Sequence, residues 1–460
     1  MAKIGHKEYA GSSFPRYARA VPMTPRDFLS VYEYDKRIIR GTYFPSSPLD
    51  IEKGDTVGVV LMNLGGPDTL EDVEPFLYNL FMDPAIIDIP LIGQTFIRDW
   101  LCKFIASRRS KFVREDYELI GGGSPINRLT REQSKALREH LNRHYGQAAD
   151  VDFKTYIAMR YWKPFSEDAV REMKEDGVDK VVLLPLYPHY SKTTTGSSLV
   201  YWKALEEEGT LPEYPTTTVF EYAANPKYIR AISERIDEGL QRFTPEERED
   251  VHLLFSAHGT PLNEMTERRD PYCCLVHSTV NQLMKYREHD YPFHTAFQSK
   301  VGPAKWLTPA TPDKLEELAE EHDVENVLVI PIAFVTDHVE TSFELDIEVR
   351  EEAEEFGIER YEVTSGLNSH PLFIEALAES TMAQLNYPVD VNTLRHRGDG
   401  APKGQYPLKP LDELPRYPQS ERDIRCPNCE CITEARCWAD DIQEAAGTVS
   451  KTAERPQKDA

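Results

Sequence analysis

Apolar residues along this chain gather in short unbroken runs that stop abruptly at clusters of polar, titratable side chains. Val327 to Phe334 (VLVIPIAF) is a β-branched and apolar run, the pattern of a strand buried on both faces of a parallel sheet. LLFSAHGTP is a second such run and carries His258 where its apolar part ends. These runs alternate with amphipathic stretches such as SEDAVREMKEDG and PDKLEELAEEHD, which predicts βαβ units. DKVVLLPLYPHYSKTTTGSS and ENVLVIPIAFVTDHVETSFE share a polar lead-in, an apolar strand broken at a proline (Pro185 and Pro331) and a hydroxyl-rich exit, a sign of duplication. The expected fold is α/β, with two similar halves facing each other across a cleft that suits a flat ligand. In open α/β sheets ligands bind at the carboxyl ends of strands.

Those strand ends carry the candidate chemistry. Asp337 followed three residues later by Glu340 has the form of a helix N-cap with an acidic partner, so a helix should follow. Glu340, Glu344, Glu348 and Glu351 recur at spacings of four, four and three and should line one face of it, the first two nearest the strand end. A plainer reading has Asp337 and Glu340 only capping the helix and the other acids facing water. Similarly, His258 could be a turn histidine held by backbone hydrogen bonds. Because both strand ends are polar at the same kind of position, handling of protons, a metal or both is favoured. Gly121, Gly122 and Gly123 lack the spacing of a dinucleotide-binding loop.

Composition narrows the classes. With 460 residues the chain has room for one large or two medium domains. A formal net charge of -24 opposes binding to nucleic acid, whose phosphates would be repelled. Mean hydropathy is -0.52, and no apolar run is long enough to span a bilayer. MAKIGHKEYAGSSFPRY has no apolar core of a secretory signal, and acids and tyrosines recur through residues 1–54. A cytosolic location with an N-terminal extension is expected. Residues 84–106, including AIIDIPLIGQTFIRDWLCKFIA, are too broken to span a membrane and too apolar for an ordinary exposed loop. They could pack as a helix on their own core or lie at a membrane surface as a peripheral contact. Beyond Asn386 the sequence is proline-rich and reaches CPNCECITEARC, where Cys426, Cys429, Cys431 and Cys437 crowd together. In a chain without a signal peptide such crowding favours metal over disulfides, and both zinc and an iron–sulfur cluster accept four thiolates.

Seven strings in order, VVLMNLGGPDTLEDVEPFL, IGGGSPINRLT, MRYWKPFSEDAV, PLYPHYSKTTTGSS, FSAHGTP, FQSKVGPAKWLTP and IPIAFVTDHVETSFELDIE, resemble the ferrochelatase family from about Val57 to Leu385. The resemblance implies two Rossmann-like halves enclosing a porphyrin cleft. It divides the chain into an extension (1–54), a first half with a lip (55–215), a second half with the His/Glu cluster (216–385) and a tail (386–460). It further implies insertion of Fe(2+), as substrate, into protoporphyrin IX to form protohaem late in haem biosynthesis. A related branch acts on coproporphyrin III, and a cobalt or nickel chelatase would use similar side chains. A noncatalytic porphyrin or haem carrier could dispense with His258 and Glu340.

Metal can enter a free-base porphyrin only if its pyrrole N–H protons leave and the ring bends. His258 is the expected base. Glu340 is expected to ligate iron with it or to share its protons, since imidazole and carboxylate both suit ferrous iron. Asp337, His338 and Glu344 would form the outer part of that path, with crowding raising some carboxyl pKa values. By resemblance the slot would include Met62, Leu64, Tyr161, Tyr187, Trp306 and Phe334, with Arg160 in the pocket and Arg109, Tyr117 and Ser124 on the propionates. The same resemblance makes residues 84–106 a lip over the pocket. Some members hold a [2Fe-2S] cluster partly through a C-terminal cysteine group, which favours that cluster on Cys426, Cys429, Cys431 and Cys437. Where the animal proteins supply an upstream cysteine this chain has Lys192, and Cys273 or Cys274 could replace one tail thiol. Oligomeric state is left open.

Overall fold

The computed structural model describes residues 48–83, 85–86, 96–207, 209–266, 270, 272–300 and 304–386. Eight strands form two four-stranded sheets: β2 (Thr56–Asn63), β3 (Asp152–Met159), β4 (Lys180–Pro185) and β5 (Thr216–Thr218) in the first, and β6 (Val251–His258), β7 (Phe293–Gln298), β8 (Asn326–Pro331) and β9 (Arg360–Val363) in the second. Spatial order is β3-β2-β4-β5 and β7-β6-β8-β9, and every pairing is parallel. The permutation is the same in both: second strand, first, third, fourth. β4 and β8, the two runs that read as duplicated, therefore occupy the same place in their sheets.

Each sheet has helices on both faces, which is why its middle strands read as unbroken apolar runs. Alternate residues of β2 serve different layers. Val57, Val59 and Leu61 join a large core that also takes in Leu253, Phe255 and Leu328 of the second sheet. Val60 and Met62 face outward onto a separate cluster with Leu199 and Tyr201. Local signals set the helix ends. Asn225 caps Pro226–Leu240 by accepting from the Lys227 and Tyr228 amides, with Pro226 in the first turn where a missing N–H costs nothing. Asp168 closes Ser166–Glu175 by accepting from Phe165 N at 2.9 Å.

Polar contacts tie the pieces together inside the core. Lys227 pairs with Glu375 and, at 3.2 Å, with Glu379, joining Pro226–Leu240 to the helix Pro371–Met382. Two short strands at the limits of the described chain, β1 (Leu49–Asp50) and β10 (Leu385–Asn386), pair in parallel. Near the first sheet Asp83 accepts from Arg160 Nη2 (2.9 Å), Tyr161 OH (2.6 Å) and Ser197 Oγ (2.5 Å), and both charged side chains are almost wholly buried. Removing one member of a buried ion pair strands the other charge. Asp83→Ala should therefore lose about 3–5 kcal/mol in urea unfolding, and adding Arg160→Met should restore part of the loss. No recovery in the double variant would show that the network's hydrogen bonds, and not the stranded charge, dominate.

Candidate active site

In a sheet of this order the strand sequence reverses between the first and third strands, and connections leave in opposite directions there. In the second sheet that point lies between β6, which ends in His258, and β8, which runs on to Asp337, His338 and Glu340. The equivalent point of the first sheet lies between β2 and β4, followed by Leu64 and by Leu186 and Tyr187. A cleft joins the two, enclosing about 980 Å³ of empty space, part of it open to solvent. The first half contributes Leu64, Leu80, Ile126 and Leu186 together with Asn63, His189, Ser191, Thr193 and Thr194; the second contributes His258, Phe334, His338 and Glu340.

The titratable wall is a connected array. His258 Nδ1 lies 3.5 Å from Glu340 Oε1, and Glu340 Oε2 bonds His338 Nε2. His338 Nδ1 faces Thr336 O at 3.0 Å, so that nitrogen carries the hydrogen and Nε2 is presented to the carboxylate. The His258 carbonyl accepts from Tyr272 OH at 3.0 Å, and Phe334 stands edge-on between the two imidazoles. Burial opposes charge on His338, yet the adjoining Glu340 carboxylate and the hydrogen bond between them raise its pKa. Burial alone would raise Glu340, but His338, with His258 behind it, draws it well below the ordinary carboxylate range. The two imidazoles therefore lower this carboxyl, where crowding of acids was expected to raise some of the group. Glu344 follows that expectation: burial and the Glu340 charge push it up against hydrogen bonds from Ser299 Oγ (2.6 Å) and Gln298 Nε2 (3.1 Å).

Several expected placements differ. Asp337 caps nothing in the following helix. Its Oδ1 accepts from Gly366 N (2.9 Å) and Thr341 Oγ1 (3.2 Å), and its Oδ2 from Asn368 Nδ2 (2.7 Å). The helix begins at Glu340 with π winding to Glu348, then continues as Val349–Phe356. Glu340 and Glu344 turn inward while Glu348 and Glu351 are exposed. Met62 is in the outer core, not the cleft, because it falls on the wrong side of β2; Leu64, past the strand end, reaches the cleft instead. Arg160 and Tyr161 are absorbed by the Asp83 network. Arg109 is exposed, 6.0 Å from the Phe81 ring. Tyr117 is buried among the helices of the first half, where burial and the Glu340 charge raise its pKa. Ser124 Oγ accepts from Ile126 N at 3.4 Å, at a helix start. Trp306 bridges to Pro261 beside His258, its indole N–H buried without a hydrogen bond. Tyr187 lines the cleft. So does His189, unnoticed in the sequence; its Nε2 meets Thr279 Oγ1 at 2.9 Å and burial pushes it down to about 3.

Residues 84–106 contribute Ile86 to the cleft and the start of a long helix, Phe96–Leu119. Cys102 and Ala106 face inward, while Ile97, Trp100, Phe104 and Phe112 are exposed. Among the described residues no helix is long and apolar enough to cross a membrane, and no group of three or more His, Cys, Asp or Glu side chains is arranged to hold a metal ion. Cys426, Cys429, Cys431 and Cys437 lie outside the described residues.

Two parallel sheets of the same strand order, with an imidazole–carboxylate–imidazole array lining the cleft between them, define an α/β protein whose candidate site lies at the strand ends. The ferrochelatase family model matches residues 56–385. Ferrochelatase of Synechococcus elongatus is 44% identical over 335 residues, 72% of this chain and 83% of that protein. The one from Nostoc sp. is 43% identical over 334 residues, again 72% and 83%. SirB from Bacillus subtilis with Fe3+ overlays at a TM-score of 0.41 with 9% identity, spanning 77% of this chain and 100% of that one. The chain belongs to the ferrochelatase family.

Titration of the paired groups has a defined sign. Glu340, lowered from an ordinary 4.5, stabilises the fold above that pH and ceases to as pH falls through its folded value. His338, raised from an ordinary 6.5, stabilises below that pH and ceases to as pH rises through its folded value. The stability gap between the unaltered protein and Glu340→Gln should be widest between about pH 4.5 and 6.5 and narrow on both sides, as read by urea unfolding across pH. A gap independent of pH would mean the two side chains are not an ion pair.

Proposed function

We propose that this protein inserts ferrous iron into protoporphyrin IX to form protohaem, a lyase reaction of late haem biosynthesis in the cytosol. The observation that carries the reading is the array on the cleft wall, where His258 faces a carboxylate already paired to a second histidine. Chelation releases two protons as the ring gains Fe(2+). His258, at the open end of the array, accepts a proton from a pyrrole nitrogen. Glu340 is 3.5 Å behind it and stays anionic through His338, so it holds the resulting imidazolium; His258 releases that proton to solvent and then accepts the second. His258 and Glu340 are also the donors that suit incoming iron. Glu344 and Asp337 form the outer part of the path, Glu344 linked to Glu340 through Gln298, whose Nε2 is 3.1 Å from both Glu340 O and Glu344 Oε2. Leu64, Tyr187 and Phe334 bound the slot for the ring, with Trp306 beside His258. Met62, Arg160 and Tyr161 support that slot from behind, with Tyr117 buried in the helical core beside it, while Arg109 and Ser124 would meet propionates at its rim.

Two features lie outside the reaction. The exposed face with Trp100 stacked on Phe104 at 5.8 Å suits peripheral contact with a membrane that delivers a poorly soluble porphyrin. A [2Fe-2S] cluster fits four tail thiolates, Cys426, Cys429, Cys431 and Cys437. It would supply a covalent tie or a redox-sensitive group there. Cys273 lies within the main core and Cys274 is buried, and the four tail thiols are the proposed ligand set. Cys429→Ser should abolish the visible absorption of the anaerobically purified protein, and Cys273→Ser should leave it unchanged; the opposite pattern would move a ligand into the body.

Anaerobic turnover with Fe(2+) and protoporphyrin IX should be fast, with coproporphyrin III the poorer substrate. His258→Ala should lower the rate by about 10²–10⁴-fold with porphyrin binding retained. Tight binding without insertion by the unaltered protein would make it a carrier and end this assignment.

A further inference from the structure

Gln133 is fully buried on the helix Ile126–Leu141 of the first half, yet its hydrogen bonds go to the second. Its Nε2 is 3.0 Å from Thr336 Oγ1 and 3.1 Å from Asn368 O, and its Oε1 is 3.1 Å from the same Thr336 hydroxyl. These two partners hold the neighbouring site residues. Thr336 O takes the Nδ1 side of His338 at 3.0 Å. Asn368 clasps Asp337 from both sides, donating from Nδ2 to Oδ2 (2.7 Å) and accepting from the backbone N at Oδ1 (3.1 Å). One turn earlier on the same helix, Thr130 Oγ1 accepts from Asn63 Nδ2 at 3.1 Å, and Asn63 lines the cleft at the end of β2. Residues three apart share a helix face, so one face of Ile126–Leu141 grips the strand ends of both halves.

We infer that Gln133 is a positioning residue for iron insertion: a clamp, reaching across from the other half of the molecule, that holds the Thr336–His338 segment at the orientation in which His338 meets Glu340. A buried amide is costly unless its donors and acceptors are used, and here its partners are Thr336, in the segment that carries the array, and Asn368, in the loop that holds Asp337. Outer partners of this kind fix the ring plane of the histidine they support without touching substrate. The inference rests on the proposed reaction, since it assigns Gln133 through His338.

The test compares Gln133→Met, which keeps the volume and removes the hydrogen bonds, with Thr336→Val, which removes the hydroxyl from the other side. Each should lower kcat about 10–100-fold, the range seen when outer partners are lost, while KM for porphyrin and porphyrin binding by fluorescence quenching stay within about twofold. If Gln133 acts through Thr336, the double variant is no slower than the worse single one. Near-normal kcat in either folded single variant overturns the clamp, as does a double variant whose losses multiply. Should Gln133→Met fail to fold, Thr336→Val alone carries the kcat-against-KM reading. An unaltered protein that inserts no iron brings down the proposed reaction itself; one that turns over normally beside an equally active Gln133→Met brings down the clamp alone.

Discussion

Everything at the site depends on one constraint of parallel sheets: where strand order reverses, the loops above the two adjoining strands part and leave a gap that side chains can enter. This chain makes the same reversal twice, and the two gaps open onto one cleft. One gap carries leucines and a tyrosine together with Asn63, His189 and hydroxyl side chains, and the other carries two imidazoles and a carboxylate, so the ionisable pair lies on one side only. The asymmetry arises from loop sequence, because the sheets beneath share their topology.

Buried charge is handled differently in the scaffold and at the site. Asp83 and Arg160, and Lys227 with Glu375 and Glu379, are pairs closed off from the cleft; they fix how helices sit and exchange nothing. Glu340 and His338 form the same kind of pair, but the cleft reaches them and His258 stands half-exposed beside them. A pair that is satisfied yet reachable can pass a proton and return to its resting state. Its stability in the ionised form also keeps the wall polar when no ligand is present.

The fold was legible because doubly buried strands must be continuous in apolar residues, and VLVIPIAF and LLFSAH are. The location of the chemistry was legible for a related reason: an apolar run that ends in His or Asp–His–x–Glu marks the strand end where a sheet binds ligands. Details that depend on distant segments were hidden. Asp337 has the spacing of a capping residue, but Gly366 and Asn368 from the next loop claim its carboxylate, and the helix starts at Glu340 with Val339 in the capping position. Arg160 carries no local sign that Asp83 will take it. Met62 could have been placed by counting along β2, since alternate residues there face opposite layers and the chain crosses to the cleft only beyond Asn63. Gln133, in an ordinary amphipathic helix, has no sequence signal at all.

The small ladder between β1 and β10 has a mechanical consequence. Its strands run parallel, with Leu49 beside Leu385 and hydrogen bonds from Leu49 N to Gln384 O and from Ile51 N to Asn386 O. The chain therefore arrives at one end of the ladder and departs from the other, so the segments before Leu49 and after Asn386 attach along a common line in opposite senses. Tension between them would load the ladder in shear, all its bonds together, where an antiparallel arrangement would unzip bond by bond. A pull applied at Leu49 and Asn386 thus meets the whole ladder before it reaches the sheets.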